Sequence, residues 1–189
     1  MIYFTSDTHF GSERTLKLSF RPFKNIEKMD EKIIKNWNKI VKKYDTVYHL
    51  GDFGNYDIVK KLNGKIILIL GNYEMDYMLE NFENNFQKFS SFLKSLGFFE
   101  VIKNNLTLDL SELNEKVFLT HEPIKCKKDM FNLFGHIHEK CKVKKFGLNV
   151  GIDNYNFKPA SLEVVKIYKY AIQNHYDINV FCSVSDLKD

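Results

Sequence analysis

Apolar positions along the chain change their spacing twice. In the first stretch, short apolar runs alternate with amphipathic ones. MIYFTSD reads as a buried strand, and in NIEKMDEKIIKNWNKIVKKY the residues Ile26, Met29, Ile33, Trp37, Ile40 and Tyr44 recur three or four apart, the stripe of an amphipathic helix. DTVYHLGD reads as a second strand, followed by a short helical stretch through YDIVKKLNG that Gly64 closes. KIILILGN is a third strand. MLENFENNFQKFSSFLKSLG returns to helical spacing in Leu79, Phe82, Phe86, Phe89 and Leu93 and stops at Gly97; that spacing makes its phenylalanines a core face, not a base-stacking platform. The second stretch is different: NLTLDL, KVFLTHE, DMFNLFGHIHE and KKFGLNVGID are strand-like and joined without long helices. A last helix is predicted from Ala160-Ser161 through SLEVVKIYKYAI, and the tail DINVFCSV alternates weakly, as an edge strand or a disordered end. Strand-helix units, then strands, then a helix predict an α+β chain: a mixed sheet, or two sheets packed together with helices outside.

Composition narrows this picture. A chain of 189 residues, 44% hydrophobic and 28% charged, suits one soluble globular domain over residues 1–189. Its apolar runs are far short of a membrane span, and the start lacks the basic and apolar regions of a signal peptide, so a cytosolic protein is expected. Cys126, Cys141 and Cys182 are odd in number and form no C-x-x-C pair, which argues against a disulfide framework or a cysteine zinc site. The net charge of +4 comes almost wholly from lysine, Arg14 and Arg21 being the only arginines. Codon usage explains lysine richness more simply than ligand binding does. A denser cluster (Lys125, Lys127, Lys128, Lys140, Lys142, Lys144 and Lys145) could draw in a polyanion, though a solvated lysine face is the preferred reading.

The candidate chemistry lies where the strands end. YFTSDTH ends on Asp7 and His9, which share a face if the chain is extended; VYHLGD ends on Asp52, ILGN on Asn72, VFLTH on His121 and LFGHIH on His136 and His138. Five of the six histidines fall at or just before such an end, and His175, which stands apart, is expected to be solvated. Open α/β sheets build their sites at these carboxyl ends. Seven oxygen and nitrogen donors without a thiolate are too many for one ion and suit Mn²⁺ first, with Fe, Zn²⁺ or Ni²⁺ as alternatives. A shared carboxylate can hold two such ions about 3.5–4 Å apart, the arrangement of two-metal phosphate-ester hydrolysis. Each signal alone is weak; their coincidence is specific.

These motifs resemble the calcineurin-like metallophosphoesterases, in particular their small single-domain bacterial and phage members. The family pattern D-x-H … G-D … G-N-H-[D/E] … H … G-H-x-H corresponds to Asp7-Thr8-His9, Gly51-Asp52, Gly71-Asn72-Tyr73-Glu74, His121 and Gly135-His136-Ile137-His138, and RPF, MDEKIIKNWNKIV and LNVGID…KPASLE extend the likeness. The resemblance implies a metallo-dependent phosphatase-like, four-layer β-sandwich flanked by helices. It also implies one metal on Asp7, His9, Asp52 and His138 and a second on Asp52, Asn72, His121 and His136, with Asp52 bridging. A hydroxide between the metals would attack phosphorus in line, and His49 would point away into packing.

Two positions depart from the pattern: Tyr73 replaces the histidine of G-N-H, and Ser12 replaces a histidine common after HFG. The missing histidine is the one thought to protonate the leaving oxygen, and losing a general acid costs roughly 10²–10⁴ in rate. Tyrosine, with a pKa of about 10, gives up its proton reluctantly. Tyr73 is then a substitute donor, or dispensable because the leaving group departs as a stable anion, or the mark of lost catalysis. Arg21, in a loop, is as readily a phosphate contact as a surface arginine, Ser12 is a weaker substrate candidate, and Glu74 either bonds Tyr73 or caps the next helix. The expectation is a dinuclear phosphoesterase acting on a small phosphodiester or nucleotide-type ester, with Tyr73, Asn72 and Asp52 at the reaction. Its rival is a catalytically weakened scaffold of the retromer kind. Nucleic acid is a less favoured partner, since the chain leaves no room for a capping domain.

Overall fold

In a computed structural model, residues 1–113 and 115–176 are described; the weakly alternating tail and Cys182 lie outside them. One sheet sets β1 (Ile2–Thr5), β2 (Thr46–His49), β3 (Lys65–Ile69) and β4 (Glu100–Ile102) in parallel, with β10 (Ala160–Ser161) antiparallel beside β1. The other runs in the order β5 (Leu106–Leu110), β6 (Glu115–Leu119), β7 (Phe131–Phe134), β9 (Gly147–Asn149) and β8 (Val143–Lys144), parallel within β6–β7–β9 and antiparallel at both edges.

The unbroken apolar runs of β1 to β3 follow from burial on both faces. Tyr3, Val47, Ile66 and Leu68 join a core with helices α2 (Ile26–Ile40) and α4 (Phe86–Leu96), while Phe4, Leu50 and Ile69 join Val117, Leu119, Leu133 and Leu148 between the sheets. The expected sandwich of two mixed sheets with flanking helices is what forms. Helix α5 (Leu162–His175) starts where the sequence suggested, is capped by Ser161, and adds Leu162, Val165 and Ile172 to the inter-sheet core. Among the described residues no helix is long and apolar enough to cross a membrane.

Two local expectations need correction, and one element is new. Helix α2 stops at Ile40 because Val41 turns extended, so Tyr44 falls outside the stripe and is 80% exposed. The long Phe-rich helix is two helices, α3 (Asn72–Phe82) and α4, because Glu83 and Asn84 turn left-handed (φ 51° and 57°) and Asn85 caps α4 by accepting from Lys88 N at 3.0 Å. Leu79 consequently faces solvent while Phe89 is fully buried. A short helix absent from the sequence reading, α1 (Glu13–Leu18), follows the first strand's loop and is capped by Ser12.

Candidate metal centre

The loops after β1, β2, β3, β6 and β7 all emerge at one end of the sandwich. Asp7 and His9 do meet there, but not by sharing the face of an extended strand. Both are left-handed (φ 57° and 47°), and the chain coils past Gly51-Asp52, with Asp7 N donating to Gly51 O and His9 N to Asp52 O, each at 3.0 Å. Asp52, His136 and His138 are left-handed as well (φ 59°, 71° and 50°). Non-glycine residues seldom adopt this region, and they cluster in it at functional sites.

Asp7, His9 and His138 bring donor atoms within 4.8 Å of one another, and so do Asp52, His121 and His136. Asp52 Oδ2 stands between the groups, 3.6 Å from His9 Nε2 and 3.4 Å from His121 Nε2. The Asn72 amide oxygen joins the second group, 2.9 Å from His121 Nε2 and 3.1 Å from His136 Nδ1. All seven predicted donors therefore gather in two groups that share Asp52.

Three features fit cations there. Both ring nitrogens of His9 are buried without a hydrogen-bond partner, and burial brings its pKa down to about 3, so a neutral ring with a single lone pair turns Nε2 toward Asp7 and Asp52. Such an orphaned polar group is costly in a fold unless an ion accounts for it. His121 Nδ1 donates to Leu50 O at 2.7 Å, which aims Nε2 at the Asn72 amide oxygen, Asp52 Oδ2 and His136 Nδ1, so that this nitrogen must meet them with a proton or through a cation. Although burial opposes protonation of His121, the hydrogen bond and charge of Asp52, with the charge of Asp7, push it up to about 9. The pocket thus calls for positive charge.

Support for these donors reaches deep into the fold. Asp7 accepts from Ser6 Oγ at 2.6 Å and from His136 N at 3.0 Å. Glu74, fully buried, accepts from Asp52 N at 2.7 Å and from Phe53 N and Gly71 N at 2.8 Å, tying the Asp52 loop to the start of α3. Glu74 thus caps its own helix and does not bond Tyr73. Burial and the Asp52 charge push its carboxyl up to about 7, yet its three partners are all N–H donors, so the pocket is shaped for the carboxylate. His49 packs away from the metal donors: Thr8 Oγ1 donates to Phe53 O at 2.8 Å, which leaves His49 Nε2 to donate to Thr8 at 2.9 Å.

Arg21 is neither surface residue nor phosphate contact. Its side chain is wholly buried, pairing through Nε with Asp153 Oδ1 at 2.7 Å and donating to the backbone oxygens of Thr8 and Asp7. Asp153 Oδ2 in turn receives His138 Nδ1 at 3.0 Å, leaving Nε2 of that ring for a metal. Asp153 escaped the sequence reading, although it follows a strand end as the other donors do. Asn149, also missed, is buried and donates to the oxygens of His138 and Cys141 at 2.7 and 2.9 Å while accepting from Gly151 N.

Ser12 is spent as the cap of α1, accepting from Thr15 N at 3.1 Å. The Tyr73 ring meets His9 edge-on with centroids 4.8 Å apart, its N–H donates to Asp52 Oδ1 at 3.0 Å, and its hydroxyl accepts a hydrogen bond from Arg14 Nη1. The lysine cluster has company: Lys125 pairs with Glu122, Lys127 lies over Phe118, and Lys142 lies over Tyr155 and Tyr168. His175 is exposed at the end of α5.

Residues 1–151 match the model of the calcineurin-like phosphoesterase superfamily domain. An uncharacterised protein of Methanocaldococcus jannaschii is 30% identical over 182 residues, covering 87% of this chain and 88% of its own. Among solved structures, a protein of unknown function from Aquifex aeolicus is 26% identical with a TM-score of 0.66, over 90% of this chain and 98% of that one. An archaeal phosphodiesterase is 22% identical with a TM-score of 0.46, over 82% and 86%.

Proposed function

The chain belongs to the calcineurin-like phosphoesterase superfamily, and from that premise we propose that it hydrolyses a small phosphodiester or nucleotide-type phosphate ester with two divalent cations. His9 carries the reading: a buried, neutral imidazole with both nitrogens unpartnered, between two carboxylates, has no structural purpose that packing supplies. Asp7, His9, Asp52 and His138 would hold one ion, and Asp52, Asn72, His121 and His136 the other; Mn²⁺ suits this donor set best, ahead of Fe, Zn²⁺ or Ni²⁺. Bound cations supply charge that acidifies water and neutralises phosphoryl oxygens.

The chain's own residues do the rest. Asp52 keeps Oδ2 toward both groups because Oδ1 is held by Tyr73 N–H. The Asn72 oxygen faces the second group, so its amide N–H₂ is left to donate to a phosphoryl oxygen. Ser6 and His136 N–H fix the Asp7 carboxylate, and Asp153 fixes His138.

Hydrolysis of bis-p-nitrophenyl phosphate by chelator-stripped protein reloaded with Mn²⁺ tests this, since its good leaving group needs little acid assistance. Metal-dependent turnover, lost in Asp52→Ala, is the expected result. Tyr73 in place of the family histidine favours one other reading, a binding scaffold on the same fold. Two bound ions with no turnover of this substrate would give that reading the lead.

A further inference from the structure

The helix that the sequence did not announce carries a cation to the edge of the site. Arg14, second residue of α1, is exposed, and its guanidinium donates to the Tyr73 hydroxyl. Its neighbours are differently engaged: Glu13 pairs with Lys17 at 2.8 Å, and among the described residues no carboxylate pairs with Arg14. Tyr73 links this arginine to the metal donors, since its ring lies edge-on to His9 and its N–H holds Asp52. The other arginine, Arg21, is consumed by Asp153 and two backbone oxygens. Arg14 is thus the one arginine whose charge stands uncompensated, held at the edge of the centre by the residue that replaces the family's histidine.

We propose that Arg14, positioned by Tyr73, is the contact for the substrate's phosphoryl or leaving-group oxygens, and that the site favours substrates whose leaving group departs as a stable anion. This rests on the phosphoesterase reading and refines it. A guanidinium keeps its proton throughout the working pH range, so it can stabilise developing negative charge but cannot hand a proton to an alkoxide. Its planar fork suits two oxygens of one phosphate, and Tyr73 occupies only one of its donors. An aryl oxide or a phosphate would leave readily beside it; a simple alkoxide would not. Tyr73 is then a positioning residue and not the proton donor.

Two readouts test this. The first is calorimetric binding of inorganic phosphate to Mn²⁺-loaded protein, with metal content measured in every sample. Arg14→Gln should weaken phosphate binding roughly ten- to hundredfold with both ions retained, the loss of a charge-assisted contact. Arg14→Lys should recover part of it. Tyr73→Phe should weaken binding in the parent background and change nothing once Arg14 is Gln, because it acts through that side chain. The second readout is the dependence of rate on leaving-group acidity across a series of aryl methyl phosphodiesters. A steep dependence in the parent is expected, with Arg14→Gln lowering kcat more than it raises KM.

Undiminished phosphate binding by Arg14→Gln, or no phosphate binding by the metal-loaded parent, would overturn the assignment. A shallow leaving-group dependence in the parent would overturn the substrate preference. Arg14-dependent phosphate binding without turnover of any ester would instead sink the hydrolytic reading and leave the arginine's role standing.

Discussion

Replacing Asp153 by Asn removes one charge and almost no volume, so its effect isolates what that carboxylate does. Asp153 Oδ1 accepts Arg21 Nε at 2.7 Å, and Oδ2 accepts both Arg21 Nη2 and His138 Nδ1 at 3.0 Å. Burial opposes its ionisation, but His138 and Arg21 outweigh that and hold the carboxyl below its usual range. Whichever way an Asn amide turns, its NH₂ faces a donor, and the guanidinium of Arg21, wholly buried, loses its counter-charge. Breaking a buried pair from one side costs about 3–5 kcal/mol. At roughly 2–4 °C per kcal/mol for a chain of this size, Tm should fall by about 6–20 °C.

The ring of His138 is also released, which should weaken binding at the group formed with Asp7 and His9 by about 10–100-fold. Urea unfolding in EDTA reads the first effect and Mn²⁺ calorimetry the second. The double variant Arg21→Met/Asp153→Leu separates them. It should regain part of the stability, because apolar replacement of a buried pair is often neutral, while metal binding stays impaired. A cost below about 1 kcal/mol in EDTA for Asp153→Asn, or joint recovery of stability and metal binding in the double variant, would refute this reasoning.

Other consequences are as direct. A Cβ on Gly135 would lie 2.3 Å from Ser6 Oγ and 2.6 Å from Asp7 Oδ2; Gly135→Ala should displace that carboxylate, cut Mn²⁺ affinity at least about tenfold and cost about 1–3 kcal/mol by overpacking, read by calorimetry and urea unfolding. Asn149→Asp sets an oxygen against the carbonyls of His138 and Cys141; a loss of about 2–4 kcal/mol at neutral pH is expected in urea unfolding, and a parent-like midpoint would contradict it. Burial holds His49 at about 3, below its unfolded value, so its stabilisation is present above pH 6.5 and is lost as pH falls through that window. Unfolding takes up its proton, giving a slope of up to about 1.4 kcal/mol per pH unit, and His49→Gln should flatten the acid limb of stability between about pH 6 and 4 by that amount.

How much of this was legible in the chain depended on the kind of signal. The apolar stripes of α2 and of β1 to β3 were readable because each face has a continuous buried partner, and the candidate metal donors because imidazoles and carboxylates stood at the ends of such runs. Short-range backbone choices were not. The break at Glu83-Asn84 depends on two left-handed residues and an Asn85 cap that helical spacing alone overrides. Helix α1 has too little periodicity to register. Arg21 and Asp153 are 132 residues apart, and nothing local tells that a loop arginine is buried against a distant carboxylate. Asp153 and Asn149 could have been flagged by asking which polar residues end or follow the strand of GLNVGID, the question that found Asp52 and His121.

The left-handed backbone at Asp7, His9, Asp52, His136 and His138 sets the evolutionary stiffness of this centre. An ordinary L-residue forced into that region costs about 1–2 kcal/mol, less for Asp, so the fold is frustrated where its donors converge. Glycine at His9, His136 or His138 would relieve strain while deleting a candidate ligand. Under selection for heat resistance alone, in the presence of chelator, these histidines should therefore drift toward glycine before core positions such as Trp37 or Phe4 change at all. Selection that keeps them would then act on what these rings do in the site, not on the fold.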